Sequence, residues 1–577
     1  VPQLVSAMRS LGALAWRPGP LVGDMTRVMR AEVQAAMEAG TLQAAGSKPD
    51  DQEDTQVTLQ HALWFSWGLA KVGQRTPGAQ GFVRLTIKAA LQVVQAQAAG
   101  RSRAGRRARK GQGANQVPAA ASWDGGDPLA STWDSEEAAR SAADSAAEES
   151  SSAPATVTSQ ELTTLMWSAA AAGLQGDASL PALLSALQSA SASDPLSLRN
   201  LSNAAWAMAR LGMGGPRLAA WVEACAVPQL QAALRDLQAS SEPGSRHDSA
   251  ASPQALANIC WSMQKIGHKP SPACSQLLAA VSSAQIDAFA PHELTAVVVA
   301  LASWRGGAGA AKGPAAAAYD SAVGQEATSG AAVSGVGPET SKLLEGATGV
   351  LKARMHEFDA PAAAHLVWAL ARTGARLDHS TLSAVARKLQ ASPVCKPAGG
   401  SPAGSGPDSE GSDAGSRGLT QVDDQLVCSF LWACSVCGHR PTQLLNAYCA
   451  ALPARLARKP RSEARGADNA SAAAFALGSA GHKDSAALSA LEAAAIRCDD
   501  AFTPFQLSSY LYGCATLGFC PNAWWKAGLW RKLRAAIPAM SLPELVHALW
   551  ALGQWPVEDL VGHQVLEQLR QAARQGL

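Results

Sequence analysis

Asn203 and Arg210 lie seven residues apart, as do Asn258 and Lys265, and in both cases a tryptophan (Trp206 or Trp261) follows the asparagine by three residues. An amide can donate to and accept from a base edge. A guanidinium or ammonium group four residues past the tryptophan can bind a phosphate or stack on a base. Seven residues are about two helical turns, so both side chains fall on one line of a helix. The same positions, numbered −3 and +4 from the aromatic, recur as Trp64/Lys71, Thr164/Ala171, His365/Arg372, Ser429/Val436, Ser509/Thr516 and His547/Gln554. Apart from Trp64, Ala171 and Val436, these residues are the candidate contacts. The chemistry they could do is recognition of successive nucleotides of a single strand, with no bond made or broken. A second reading stays open at each pair: Asn, Ser and Thr as solvated helix-surface residues, and Arg or Lys near a helix C-terminus as complements to the macrodipole.

Other chemistry-bearing groups are few. Cys434 and Cys437 form a C-x-x-C, with Cys428 before it and His439 after it, in the outline of a zinc or redox set. No second C-x-x-C completes four ligands, and both cysteines fall at apolar helix positions, so buried thiols and no metal are expected. The run Arg101 to Lys110 (RSRAGRRARK) can engage phosphates nonspecifically, serve as a solvated linker or localisation-like patch, or pair with the acidic stretch that follows. No Walker loop, dinucleotide fingerprint, Ser-His-Asp order or H-E-x-x-H occurs; neither an enzyme nor a cofactor or small-molecule substrate is expected.

The elements that must position the candidates come from a repeat. The stretches Leu162 to Gly173, Leu201 to Gly212, Leu256 to Gly267, Ala363 to Gly374 and Leu507 to Gly518 fit one apolar template, L-x-x-L-x-W-A-x-A-x-L-G. Anchored on the aromatic, the series runs Ser6, Trp67, Trp167, Trp206, Trp261, Val299, Trp368, Trp432, Phe475, Tyr512 and Trp550, with Ser6 and Val299 degenerate. The shortest steps, such as 475 to 512 and 512 to 550, give a unit of about 38 residues, the size of a helical hairpin. Apolar residues recur at −5, −2, −1, +2, +3 and +5, one broad arc that makes the core between helices. The −3/+4 line is expected outside this arc, on the far side of an anchor that is itself read as core. Glycine at +6 supplies the left-handed C-cap of this first helix, and a second amphipathic helix follows, as at Pro216 to Leu237. The fold class expected is all-α, a right-handed α-solenoid of helical-hairpin repeats with long disordered inserts.

Helical repeats are expected at 1–99, 156–305, 339–394 and 419–577. Low-complexity segments at 100–155, 306–338 and 395–418 are read as disordered inserts, because they cannot bury enough apolar surface to fold. The net charge of +2 hides an asymmetry: residues 119 to 155 hold eight acids against one base, Arg140, so the remainder is basic and compatible with a polyanionic partner. The cysteines show no paired framework and read as free thiols in a reducing compartment. No apolar run reaches the length that spans a bilayer, so a soluble chain without a membrane partner is expected. The chain opens on Val1, and Leu4 to Gly12 already reads as the tail of a repeat helix, so further sequence, including any targeting segment, is expected upstream.

A helical repeat of about 38 residues carrying W-A-x-A-x-L-G, as in Trp206 to Gly212 (WAMARLG), Trp368 to Gly374 (WALARTG) and Trp261 to Gly267 (WSMQKIG), resembles the octotricopeptide repeat of organelle-targeted proteins in green algae. It is similar also to the leucine-rich helical region of FAST-kinase-like proteins, which often carry a RAP domain. The resemblance covers nearly everything outside the inserts. It implies single-stranded RNA binding in the chloroplast stroma or, alternatively, the mitochondrial matrix, in support of transcript or rRNA stability, processing, splicing or translation. It also implies a role beside other RNA-processing or ribosomal proteins and no catalysis by the repeats. The chain departs from the pattern at Val299, at Arg305 and Pro556 where glycine is expected, and in having no recognisable RAP-like tail.

Two other functions fit the same repeats. One is a structural subunit of an organellar ribosome or ribonucleoprotein, holding folded RNA through second-helix cations such as Arg455, Arg458, Lys459, Arg531, Lys532 and Arg534. The other is a protein-binding scaffold that grips a peptide helix. Surface chemistry separates them, since single-strand reading needs −3 and +4 to converge on one accessible face.

Overall fold

A computed structural model describes residues 4–8, 19–39, 42, 57–109, 157–239, 251–305, 337–391, 423–457, 462–555 and 560–576, and helix is the only regular structure among them. The acidic stretch 119–155, residues 306–336 and residues 395–418, all expected as disordered inserts, lie outside the described residues, as do Arg458 and Lys459. The chain divides into two compact units, Val1–Ala284 and Gln285–Leu577.

In the first unit, α1 (Gly19–Glu38) precedes α2 (Leu59–Lys71), α3 (Pro77–Arg109), α4 (Ser159–Ala172), α5 (Leu180–Ser191), α6 (Leu198–Arg210), α7 (Pro216–Ala239), α8 (Pro253–Lys265) and α9 (Pro272–Ala284). The anchors sit on α2, α4, α6 and α8, here called A helices. Each A helix packs on the next, and each pairs with the B helix that follows it. The expected boundary at residue 99 falls inside α3, which continues to Arg109 and carries the start of the Arg-rich run as helix. Arg and Ala are good helix formers, so composition at the start of this run does not end the helix.

The second unit repeats the scheme. Its A helices are α10 (Pro291–Arg305), α12 (Ala360–Arg372), α14 (Asp424–Val436), α16 (Glu463–Ser479), α18 (Pro504–Thr516) and α21 (Leu542–Gly553), each packed on the next. Its B helices are α11 (Pro338–Ala353), α13 (His379–Gln390), α15 (Thr442–Leu456), α17 (Ser485–Arg497), the broken pair α19 (Asn522–Ala527) and α20 (Leu529–Ala536), and α22 (Leu560–Gly576).

Local chemistry sets the length of most A helices. Position −9 is Thr58, Thr158, Ser197, Ser252, Asp359, Asp423 or Thr503, and in each case the side chain accepts a hydrogen bond from the backbone N–H three residues on. Such a cap contributes about 1 kcal/mol. At the other end the +7 N–H returns to the +2 carbonyl, as in Met213 to Met208 at 2.9 Å, and Gly212 between them takes φ 72°. This is a Schellman closure, in which a Cβ at +6 would be strained. Between these stops the expected arc is buried: Leu201, Ala204, Ala205, Met208, Ala209 and Leu211 all lie in the core.

The turn also joins neighbouring repeats. Arg75, Gln175, Arg440 and Lys483, each at +8, donate to the C-terminal carbonyls of the next A helix: to Ala171 at 3.2 Å, Arg210 at 2.9 Å, Gly481 at 3.0 Å and Gly518 at 3.5 Å. Each latch satisfies an acceptor that the helix end leaves open and places positive or amide donors on the negative end of the dipole.

Candidate nucleic-acid interface

On α4, α6 and α8 one stripe stays outside the core; on α2, Gln60, Trp64 and Lys71 do so at the same positions, but the anchor Trp67 is buried. On α6 the positions not buried are Arg199, Asn200, Asn203, Trp206 and Arg210. On α4 they are Gln160, Glu161, Thr164, Trp167 and Ala171, and on α8 they are Pro253, Gln254, Asn258, Trp261, Gln264 and Lys265. The stripe is therefore −7, −3, 0 and +4, and the anchor lies in it. The expectation that −3 and +4 sit on the far side of the anchor is corrected by helical geometry: residues three and four apart are neighbours on one face.

The consequence is an alternation of rings and cations. The Lys71 ammonium lies 5.6 Å from the Trp67 ring and 5.8 Å from that of Trp167 in the next repeat. Trp167 stacks on Trp206 with centroids 6.3 Å apart and planes at 27°, and the Arg210 guanidinium stands 5.2 Å from the Trp206 ring. Trp67 is buried (3% exposed), whereas Trp167, Trp206 and Trp261 are half-buried, with part of each indole reaching the surface. The amides of Asn203 and Asn258 form no side-chain hydrogen bond among the described residues, and Lys265 is exposed without an ion pair there. Thr164 is spent differently, donating to the Gln160 carbonyl at 3.0 Å.

The second unit closes the same stripe. His365, Ser429, Ser509 and His547 at −3 are buried, as are the anchors Trp368, Trp432 and Phe475. The hydroxyls of Ser429 and Ser509 donate to the carbonyls of Gln425 and Phe505 at 2.8 and 2.9 Å, and His365 Nδ1 meets the Pro361 carbonyl at 2.9 Å. These are bonds back along the same helix, which satisfy a buried polar group and leave nothing for a ligand. Burial holds His365 below its ordinary pKa and brings His547 down to about 4, so both are neutral near pH 7. Arg372 donates to the Ala302 carbonyl of the preceding A helix at 3.1 Å while its guanidinium lies 5.7 Å from Trp368, which makes it a packing residue. Thr516 and Gln554 are exposed at helix ends, the former bonded to the Tyr512 carbonyl at 2.8 Å. Tyr512 is half-buried, and Trp550 is 39% exposed beside it at 5.1 Å.

The structure thus brings Lys71, Asn203, Arg210, Asn258 and Lys265 onto accessible A faces and withdraws His365, Arg372, Ser429, Ser509 and His547. Sequence reasoning had assigned Trp167, Trp206 and Trp261 to the core. The signal that could have found them is their spacing from Asn203, Arg210, Asn258 and Lys265, which already puts ring, amide and cation on one face. Burial raises the thiols of Cys434 and Cys437, which disfavours the thiolate a metal or redox centre needs, and no cluster of three metal-ligating side chains occurs among the described residues. Arg455, one of the second-helix cations, pairs with Asp424.

Half-exposed indoles flanked by cations and uncommitted amides can stack a planar base, hold a phosphate and bond to a base edge. No protein-family model matches the chain, and no curated protein matches it.

Proposed function

We propose that this protein binds single-stranded RNA along the A face of its first unit, selecting sequence through Asn203 and Asn258 and holding the strand through Lys71, Arg210, Lys265 and the indoles of Trp167, Trp206 and Trp261. The observation that carries the reading is the stacked pair Trp167–Trp206 with Lys71 and Arg210 against its rings, half-buried on a face that also presents both asparagines. Base stacking on such rings contributes about 1–3 kcal/mol per base and tolerates any base, while the amides supply the selectivity. The second unit keeps the repeat but turns its equivalent positions inward, and on this reading it is structural there. The resemblance to octotricopeptide repeats supports a place in organellar transcript stabilisation, processing, splicing or translation, acting by occupancy.

Selection of a random single-stranded RNA pool on the purified chain at near-physiological salt tests this, with N203A/R210A/N258A/K265A alongside. Enrichment of a motif that the variant no longer selects is the expected result. Binding without a motif and indifferent to the variant would instead favour a structural ribonucleoprotein subunit, and no RNA binding would favour a protein-binding scaffold.

A further inference from the structure

We propose that α19 and α20 form a second RNA contact that grips phosphates without reading bases, an inference that rests on the RNA-binding reading above. From Ala501 to Pro543 the chain carries four cations, Lys526, Arg531, Lys532 and Arg534, and no acid. In α20, Leu529 and Leu533 are buried on one side and Ile537 follows them into the core, while Arg531 and Arg534 lie on the opposite side, both exposed. At about 100° per residue these two arginines are about 60° apart. Trp530, half-buried, lies beside them, with the Arg531 guanidinium 5.0 Å from its ring.

The neighbouring acids are turned inward. Glu492 accepts from the backbone N–H groups of Ala523 and Trp524 at 2.7 and 3.0 Å, and Asp499 accepts from the Trp524 indole N–H at 2.8 Å. Among the described residues only Asp500 forms an ion pair with a cation of this group, Lys532 at 4.0 Å. Arg531 and Arg534 form no ion pair among the described residues. A guanidinium laid on an indole has its plane fixed while its N–H edge stays open, which suits the oxygen pair of a phosphate. The exposed polar side chains of α20 are cations and include no amide, in contrast to the Asn203 face.

The test is fluorescence anisotropy of the full-length chain with a labelled random-sequence single-stranded RNA pool across a salt series. Compared with the unsubstituted chain, R531A/R534A should flatten the slope of log affinity against log salt by about 1.4, the share of two phosphate contacts on a single strand. It should leave the selected motif and the Tm unchanged, and R531K/R534K should retain the slope. An unchanged slope in R531A/R534A, with N203A/N258A still losing affinity, would overturn the patch and spare the A-face reading. If the unsubstituted chain binds no RNA, both fall. Tighter RNA binding by R531A/R534A would also overturn the proposal.

Discussion

Asn203 and Ser429 occupy the same register of the repeat and have opposite fates, because the packing of neighbouring helices decides which side of an A helix meets water. Asn203 is half-buried with its amide uncommitted, whereas Ser429 is sealed and bonded to Gln425. Substituting N203A/N258A should weaken RNA binding about fivefold to 150-fold, for two lost hydrogen bonds of about 0.5–1.5 kcal/mol each. S429A/S509A should leave it within twofold; an equal loss in both double variants by anisotropy would refute the division between the units. His547 carries a pH prediction. Its native pKa of about 4 lies below the unfolded value of about 6.5, so the unfolded chain binds the proton first. The neutral ring's contribution is intact above pH 6.5 and is lost as pH falls from there to about 4, by about 3 kcal/mol. His547→Phe, which keeps a ring against Tyr512 in place of the 4.2 Å stack, should show a flatter loss of urea stability between pH 7 and pH 4. Parallel pH profiles for the two chains would show that His547 is not the group responsible. Residue types and spacing were therefore legible in the sequence, but their accessibility was not, since it depends on which neighbouring helix covers each face.

At the scale of elements, the A helices were readable because their stops are chemical: a Ser, Thr or Asp at −9 and a glycine at +6 flank the apolar arc. The B helices are less regularly punctuated: Asp378 and Asp484 cap α13 and α17, but α15, α19 and α20 have no side-chain cap, and neither the break at Gly528 between α19 and α20 nor the run of α3 to Arg109 has a repeated signal. Close approach between A helices leaves a sharper mark. A methyl group added at Gly513 of α18 would overlap the Ala474 carbonyl of α16, and one added at Gly478 would come within 2.7 Å of Gly513 Cα. Both obstacles are backbone and cannot rotate away, so Gly513→Ala should cost at least about 1–3 kcal/mol. Gly349 of α11 is exposed with open space around it, and Gly349→Ala should stabilise by about 0.5–1 kcal/mol through helix propensity. Chemical denaturation of the two variants should give opposite signs. The latch makes a smaller claim: Arg440→Ala removes the bond to the Gly481 carbonyl at an exposed site and should cost about 0.5–1 kcal/mol, read as faster amide exchange where α14 meets α16.

At the scale of the whole molecule, each A helix packs on the next A helix of its unit and on adjoining B helices, so stability is a sum of repeat terms and adjacent interfaces and not the property of one core. The division at Ala284/Gln285 adds a second level, because each unit has its own A row and B helices. A lesion placed in one row should therefore stay there. In Gly513→Ala, hydrogen exchange should accelerate most in α16, α18 and α21, fade toward α12, and leave α2, α4, α6 and α8 at their original rates. Selection of the RNA motif should then survive the lesion, because the Trp167–Trp206 stack and its cations lie in the other unit, and any loss should be confined to the phosphate contact of α20. Uniform acceleration in every helix would show that the chain unfolds as one cooperative body. Loss of the selected motif with exchange confined to the second unit would place base reading on that unit, against the closure of its −3 positions. Retained selection with local loosening is the outcome that a sum of nearest-neighbour terms requires, and it would tie the reading face to the unit that carries the Trp167–Trp206 stack.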